Sequence, residues 1–508
     1  MSLVKTASLI ILLTLIGRLL GFFRSVYVSN LYGTGMESDA FSIAVTIPMT
    51  LYLVVPGAIN AVLIPTMRGL LEKGESASRL YHKLLTLIVL VFCALSLAGA
   101  ALSVPMAQWF GLSGEQADLT AEMLVWMWPS ALFIGLAGLW SSVCNAHQHF
   151  FTPTLGAVTN GAVVIAAMVT LVPAFGATGL AVATTLGYLA AWLTMWPTMR
   201  RFGYDHRFEL AWKEDEAIRS MGERVIPILI GAVIAQATTF LERGFAAQLG
   251  DGKNAALYFA NQIVQMPMAI FVGAFTLPLF PLLASYVKRG ELDQMKQTLQ
   301  KGLAYLLILL IPVTVGLILY GQPLIRLVFE RGAFGSEAVE ETAWALMFYS
   351  LGLYALAARD LITRAFYALE NTRTPVVVGV IGIGVYIVSN WLMIPWFGHG
   401  GVALSTAVSA CFQALLLFVL LWRRIGSPVR TDFLMTAGKV AVSSVLMALL
   451  IQGLDRWLSP LPLWLYLSLG VTAAAGLYLL ALWLLREPLV NEVMRKLVRR
   501  SRSGSTQG

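Results

Sequence analysis

Charge is what this chain has least of. Of its 508 residues only 12% are Asp, Glu, Lys or Arg, whereas 58% are hydrophobic. Globular chains carry about 25% charge on a smaller apolar fraction, so a water-soluble fold is excluded. Cysteine is scarce too: Cys93, Cys144 and Cys411 lie far apart without C-x-x-C spacing, which excludes a disulfide framework and a zinc site. The five histidines, His82, His147, His149, His206 and His399, fall in or beside expected loops and share no helix face, so metal and acid–base roles lack support. No G-x-x-x-x-G-K-[ST] loop is present for ATP hydrolysis, and no acidic cluster for metal-assisted group transfer. The chain therefore reads as a non-enzyme without a cofactor. A net charge of +8 would point to nucleic acid in a soluble protein. Here the basic residues sit in short loops between apolar runs, and no nucleic-acid partner is expected.

What the chain has in excess is apolar sequence of membrane-crossing length, about 20 residues per span. Windows bounded by charge and turn residues give fourteen spans: 5–29, 39–67, 84–104, 122–145, 153–172, 178–199, 225–249, 255–286, 302–320, 342–367, 375–396, 401–422, 433–453 and 462–485. Lys5 and the run after it imitate a secretory signal, but Arg18 and Arg24 interrupt that run and no small-x-small site follows, so it reads as a retained first helix. The loops on the N-terminal side carry most of the Lys and Arg, and those on the opposite side only Lys253, Arg326, Arg331 and Arg456. Both termini are expected in the cytoplasm. Residues 204–222 and 322–336 read as membrane-skimming helices, the first cytoplasmic and the second external.

An internal repeat organises the spans. A shift of 222 lays Thr152-Pro153 on Thr374-Pro375, Pro173 on Pro395, Phe175-Gly176 on Phe397-Gly398, and Gly179 on Gly401. A shift of 216 lays Pro65 on Pro281 and Gly74-Glu75 on Gly290-Glu291. Each copy holds six spans, an even number, so both enter the membrane in the same direction and form parallel repeats. The expected fold is an all-α integral membrane protein with 14 transmembrane helices: two six-helix lobes as parallel repeats plus two extra C-terminal helices. Its parts are an N-lobe (1–203), a C-lobe (204–425, with the amphipathic link 204–222), a two-helix appendage (426–486) and a basic cytoplasmic tail (487–508). Spans two and eight are long and rich in breakers, with Pro48, Pro56, Gly57 and Pro65 in one and Pro267, Gly273, Pro278 and Pro281 in the other. They are expected to bend beside a cavity, where freed carbonyls find partners.

Charges inside spans cost about 2.5–3.5 kcal/mol each at the bilayer centre on insertion scales, so each implies a partner or a wet cavity. Arg18 and Arg24 lie in span one, Asp39 opens span two, Glu242 and Arg243 lie in span seven, and Arg359, Asp360 and Arg364 lie in span ten. At about 1.5 Å per residue, Arg24 sits about 9 Å further outward than Arg18. The forked guanidinium matches phosphate bidentately and keeps its charge. Arg18, Arg24 and Arg243 are thus candidates to hold a diphosphate. Ion pairing, as between Arg24 and Asp39, is the structural alternative.

The stretch GRLLGFFRSVYVSNLYGTGMESDAF (Gly17 to Phe41) resembles the MurJ (MviN) lipid II flippase family of the multidrug/oligosaccharidyl-lipid/polysaccharide exporter superfamily. LPLFPLLASY (Leu277 to Tyr286), AFYALENTRTPV (Ala365 to Val376) and GHGGVALSTAVSA (Gly398 to Ala410) are similar to further stretches of it. The resemblance implies that Arg18, Arg24 and Asp39 are needed for function. It also implies that undecaprenyl-diphosphate-linked disaccharide-pentapeptide moves from the inner to the outer leaflet of the bacterial plasma membrane by alternating access of a cationic central cavity. Flipping of another polyprenyl-linked oligosaccharide, or cation-coupled drug export, are the alternatives. Family members often carry arginines in span two and early in span eight, where this chain has Thr50-Leu51-Tyr52-Leu53 and Asn261-Gln262. Arg243 or Arg359 is the candidate replacement. The expected substrate-binding set is Arg18, Arg24, Asp39, Glu242, Arg243, Asn261, Gln262, Arg359 and Asp360. The expected partners are the lipid-linked diphosphate glycan, membrane lipids, and H+, Na+ or the membrane potential as driving force, with the chain acting as a monomer.

Overall fold

A computed structural model describes residues 3–73, 77–205, 207–209, 216–426 and 431–491. The basic tail from residue 492, and His206, Leu210 and Trp212 of the link, lie outside the described residues. All regular structure among the described residues is helical. In chain order the helices are α1 (Leu3–Tyr32), α2 (Met36–Ala44), α3 (Thr46–Glu72), α4 (Ser78–Ala101), α5 (Ser103–Trp109), α6 (Gly114–Met127) and α7 (Ser130–Ala146). There follow α8 (Phe151–Phe175), α9 (Thr178–Thr194), α10 (Trp196–Arg201), α11 (Glu216–Ala247), α12 (Lys253–Pro267), a π turn (Met268–Val272) and α13 (Gly273–Lys288). The last seven are α14 (Leu292–Phe329), α15 (Ser336–Leu351), α16 (Leu353–Ala368), α17 (Arg373–Phe397), α18 (His399–Ile425), α19 (Thr431–Leu458) and α20 (Leu463–Leu484).

Among the described residues twelve helical segments are long and apolar enough to cross a membrane, and a thirteenth is the pair α15–α16, bent by 42°. The eighth expected span, 255–286, is divided into α12, the π turn and α13. Breakers explain the interruptions: Pro267 ends α12, Pro129 follows α6, and Gly352 parts α15 from α16. Two expectations are corrected. Residues 322–329 are not a separate surface helix but the end of the 38-residue α14, because Ile325 and Phe329 continue its buried face. Residues 216–222 likewise belong to α11, leaving 204, 205 and 207–209 as irregular chain tied to α4 and α7. There His82 Nε2 lies 2.9 Å from Asp205 Oδ1, and the Tyr204 hydroxyl 3.1 Å from His147 Nε2.

The chain forms two compact units, one of residues up to Ala255 with Arg331–Phe334, the other of Ala256–Glu330 with the residues from Gly335 on. The core of unit one centres on Tyr81, Leu139, Trp140, Val143 and Met199, drawn from α4, α7 and α10. In unit two, α19 and α20 pack on α14 through Leu307, Tyr320, Val440, Ile451, Tyr466 and Tyr478. The Tyr478 hydroxyl donates to the Ile308 carbonyl at 2.8 Å, so the appendage is bound to its unit by a buried hydrogen bond as well as by apolar packing.

The repeat at offset 222 is visible atom by atom. Among the described residues only three non-glycine residues have positive φ, and two of them, Gln148 (58°) and Glu370 (57°), are 222 apart. Each closes a helix with the same turn: His149 N donates to Cys144 O, and Asn371 N to Phe366 O. The next residue's side chain then reaches a threonine in the first turn of the following helix, His149 Nε2 at 2.7 Å from Thr152 Oγ1 and Asn371 Nδ2 at 2.8 Å from Thr374 Oγ1. Helices α8 and α17 are both 25 residues long and end in glycines at φ 56° and 55°. In the next helices Gly179 and Gly401 press on the main chain of the preceding helix, leaving a Cβ only 2.9 and 2.7 Å from backbone atoms of Leu171 and Met393.

This packing generates a prediction whose sign opposes helix propensity. Alanine is the better helix former by about 0.8–1 kcal/mol. Gly179→Ala and Gly401→Ala should nevertheless destabilise the protein by about 1–3 kcal/mol, because main chain cannot yield to the added methyl. Thermal unfolding in detergent measures this, and a raised midpoint for either variant contradicts the close approach.

Candidate functional site

Charged and polar groups converge in unit one where α1 passes into α2 and α11 into α12. Asp39 is 1% exposed on α2. Its Oδ2 accepts from Gly252 N and its Oδ1 from Ala255 N, both at 2.6 Å, and Gln116 Nε2 approaches Oδ2 at 3.4 Å. The first amides of a helix have no intrahelical acceptor and its N-terminus is electropositive, so the carboxylate satisfies α12 from a distant part of the chain. The sequence reading allowed Asp39 an arginine partner, but the hydrogen bonds it makes go to backbone amides and to Gln116.

Arg243, 4% exposed, lies within electrostatic range of Asp39. Its Nη1 donates to the Asn254 carbonyl at 3.3 Å, and Asn254 Nδ2 donates back to the Arg243 carbonyl at 3.3 Å. The two residues staple the end of α11 to the start of α12. Glu242 beside it is also buried, at 6%. The turn between these helices touches the turn after α1. A Cβ on Gly252, whose φ is +83°, would collide with the Thr34 carbonyl, so only glycine fits there. The segment 331–334 closes on the same place, with Ala333 N donating to the Asn30 carbonyl at 2.9 Å.

Arg18 is exposed on α1, and Arg24 is half-buried. The α1 helix packs on α8, where Gly161 admits the Leu20 side chain. Asn261 and Gln262 are half-buried on the part of α12 that belongs to unit two. On α16 of the same unit, Arg359 Nη1 donates to Gln413 Oε1 at 3.4 Å, Gln413 Nε2 donates to Ser409 Oγ at 3.0 Å, and Ser409 donates to the Gly382 carbonyl. Asp360 pairs with Arg364 one turn on, at 3.1 Å. Of the nine candidates, the structure thus brings Asp39 and Arg243 into one network, and the Arg359 chain forms another. Sequence reasoning missed Gln116, Gly252 and Asn254. The run Gly250-Asp251-Gly252-Lys253-Asn254 is a turn signal, but nothing in it names Asp39 as the partner.

Replacing Asp39 tests this network. Asparagine keeps one acceptor and alanine none, and a charge-assisted bond of this kind contributes about 1.5–3 kcal/mol. Amide hydrogen exchange across 250–256 should accelerate in Asp39→Ala, and less in Asp39→Asn. Unchanged protection in Asp39→Ala contradicts the assignment.

Comparison with known proteins places this arrangement in a family. The model of the family described as lipid II flippase MurJ matches residues 28–470. The chain is 27% identical over 434 residues to a probable lipid II flippase MurJ of Vibrio cholerae, covering 82% of each protein. It superposes on a solved structure of a lipid II flippase MurJ in an inward closed conformation with a TM-score of 0.79, covering 95% of this chain and 99% of that one at 22% identity. An inward-facing multidrug resistance transporter of the MATE family in the MOP superfamily matches with a TM-score of 0.70 at 13% identity, over 82% of this chain. With a family model spanning most of its length, the chain belongs to the lipid II flippase MurJ family.

Proposed function

We propose that this protein moves undecaprenyl-diphosphate-linked disaccharide-pentapeptide from the inner to the outer leaflet of a bacterial plasma membrane. The observation that carries the reading is the family match over residues 28–470. Its mechanism draws on two physical features. Arg18 and Arg24 present fixed positive charge along α1, about 9 Å apart in depth, and a guanidinium fork binds diphosphate bidentately. The joint around Asp39 is held by non-covalent contacts, so it can break and re-form without chemistry.

In this reading both termini face the cytoplasm, and the joint of α1, α2, α11 and α12 closes the external side while the headgroup enters from within. The diphosphate is held by Arg18 and Arg24 in a cationic cavity, and the polyprenyl chain stays in lipid. Arg243 positions α12 through Asn254 and sets the local field at Asp39. Release outside requires the Asp39 carboxylate to leave the amides of Gly252 and Ala255. No covalent step is needed. The membrane potential, at about 2.3 kcal/mol per charge per 100 mV, or an ion gradient resets the cycle.

The test is depletion of the protein in its host, with the leaflet distribution of lipid-linked precursor as readout. Precursor should accumulate on the inner leaflet. Wild type should restore export, Arg24→Lys in part, and Arg24→Ala at least tenfold less than wild type at equal protein level. Normal export by Arg24→Ala removes the diphosphate role of α1, and an unchanged precursor distribution on depletion, with no second flippase present, removes the substrate assignment.

A further inference from the structure

Unit two contains a cavity of about 620 Å³, within the range of small-molecule sites, between the C-terminal halves of α14 and α19, the middle of α15 and the first turn of α20. Its polarity is graded in the same sense on three helices. On α14 Gln322 lies four residues nearer the helix end than Ile318, and on α19 Asp455 lies four nearer than Ile451. On α15, which starts at this end, Glu340 precedes Met347 by seven. At 1.5 Å per residue the polar rim stands about 6–10 Å outside the apolar floor.

The rim has one sign of charge. Glu340 and Asp455 are the charged residues lining the cavity, and the amides of Gln322 and Gln452 stand with them. Asp455 is held in place by the hydroxyl of the buried Tyr466, which donates to its Oδ1 at 2.8 Å. The nearby Arg326 is paired with Glu330 at 3.0 Å. Trp344 forms one wall, fixed by donation from its Nε1 to the Phe397 carbonyl at 3.1 Å. Exposed Trp396, Trp457 and Trp464 surround this end of the unit, as tryptophans do at the depth of lipid headgroups.

A pair of carboxylates beside an indole face selects an ammonium group. An apolar floor one to two turns deeper selects one attached to hydrocarbon, and donor amides beside the carboxylates suit a phosphate. We propose that this cavity is a binding site for the headgroup of an aminophospholipid. The ammonium nitrogen lies between Glu340 and Asp455, the phosphate takes the amides of Gln322 and Gln452, and the start of an acyl chain runs along Ile318, Met347 and Ile451. None of these residues belongs to the translocation machinery described above, so the site stands or falls independently of it.

The experiment uses the full-length protein in nanodiscs of phosphatidylethanolamine and phosphatidylglycerol in equal amounts, with retained lipid counted by native mass spectrometry. Wild type should retain the ethanolamine lipid about tenfold over the glycerol lipid. Glu340→Gln/Asp455→Asn should abolish the preference. Ile451→Trp, which fills the floor and leaves the charges alone, should do the same, with thermal unfolding as the check that each variant is folded. Spermidine serves as a soluble amine without a tail and should compete only weakly. A preference that survives in the folded variants overturns the proposal. So does tight binding of spermidine with no discrimination between the lipids, which would assign the carboxylates to a free amine instead.

Discussion

A helix that starts within a membrane protein must find acceptors for its first amides, and at α12 that acceptor is Asp39. The rest of the arrangement at this end of unit one follows from it. A carboxylate buried to 1% needs donors, and the α12 N-terminus needs acceptors and negative charge, so each removes the other's penalty. The arrangement reaches 216 residues along the chain, from Asp39 to Ala255, and lets neither group relax alone. Gly252 permits the close approach, Arg243 and Asn254 hold the two helices at the angle it requires, and the 331–334 segment adds a backbone bond to Asn30. Such a joint is firm while assembled and has no covalent barrier to opening, as the proposed mechanism requires.

Duplication gives the fold its economy. The hairpins α8–α9 and α17–α18 repeat the same left-handed residue, side-chain bond to a first-turn threonine, terminal glycine and helix-to-helix glycine contact at a constant offset of 222. What differs is where charge was placed. The hairpin-side network of unit two runs from Arg359 through Gln413 and Ser409 to a main-chain carbonyl, a chain of donors ending on backbone. In unit one the corresponding effort is concentrated on a carboxylate and a helix terminus. The appendage α19–α20 is a further specialisation, sealed to α14 by Tyr478 and creating with it a graded cavity that neither element has alone.

Much of this was legible beforehand, for identifiable reasons. Apolar windows locate helices in lipid because unpaired backbone is intolerable there, so thirteen of the fourteen expected spans recur among the described residues with their ends moved, one of them bent, while the eighth is divided. The repeat was legible because proline and glycine mark fixed backbone geometry, and Gly176 and Gly398 do adopt nearly the same φ and ψ. The breaks at Pro129 and Gly352 were not foreseen, because a hydropathy window averages across a bend. The continuation of α14 to Phe329 was missed because Gln322-Pro323 reads as a stop when the buried face beyond it is unknown. For the site, span position located Asp39 and Arg243 as buried charges. Their partners were hidden, since a contact between a carboxylate and main-chain amides leaves no side-chain signature at Gly252 or Ala255.

The proposed mechanism requires the joint where α1, α2, the start of α12 and the 331–334 segment meet to open during each transport cycle. Its most direct test replaces the three native cysteines, introduces Asn30→Cys and Ala333→Cys across the 2.9 Å backbone bond, and joins them with a short reducible bis-maleimide. Precursor translocation in reconstituted vesicles is then followed before and after reduction. Cross-linked protein should be inactive, and cleaving the linker should restore activity. Translocation at an unaltered rate with the linker in place would contradict the mechanism.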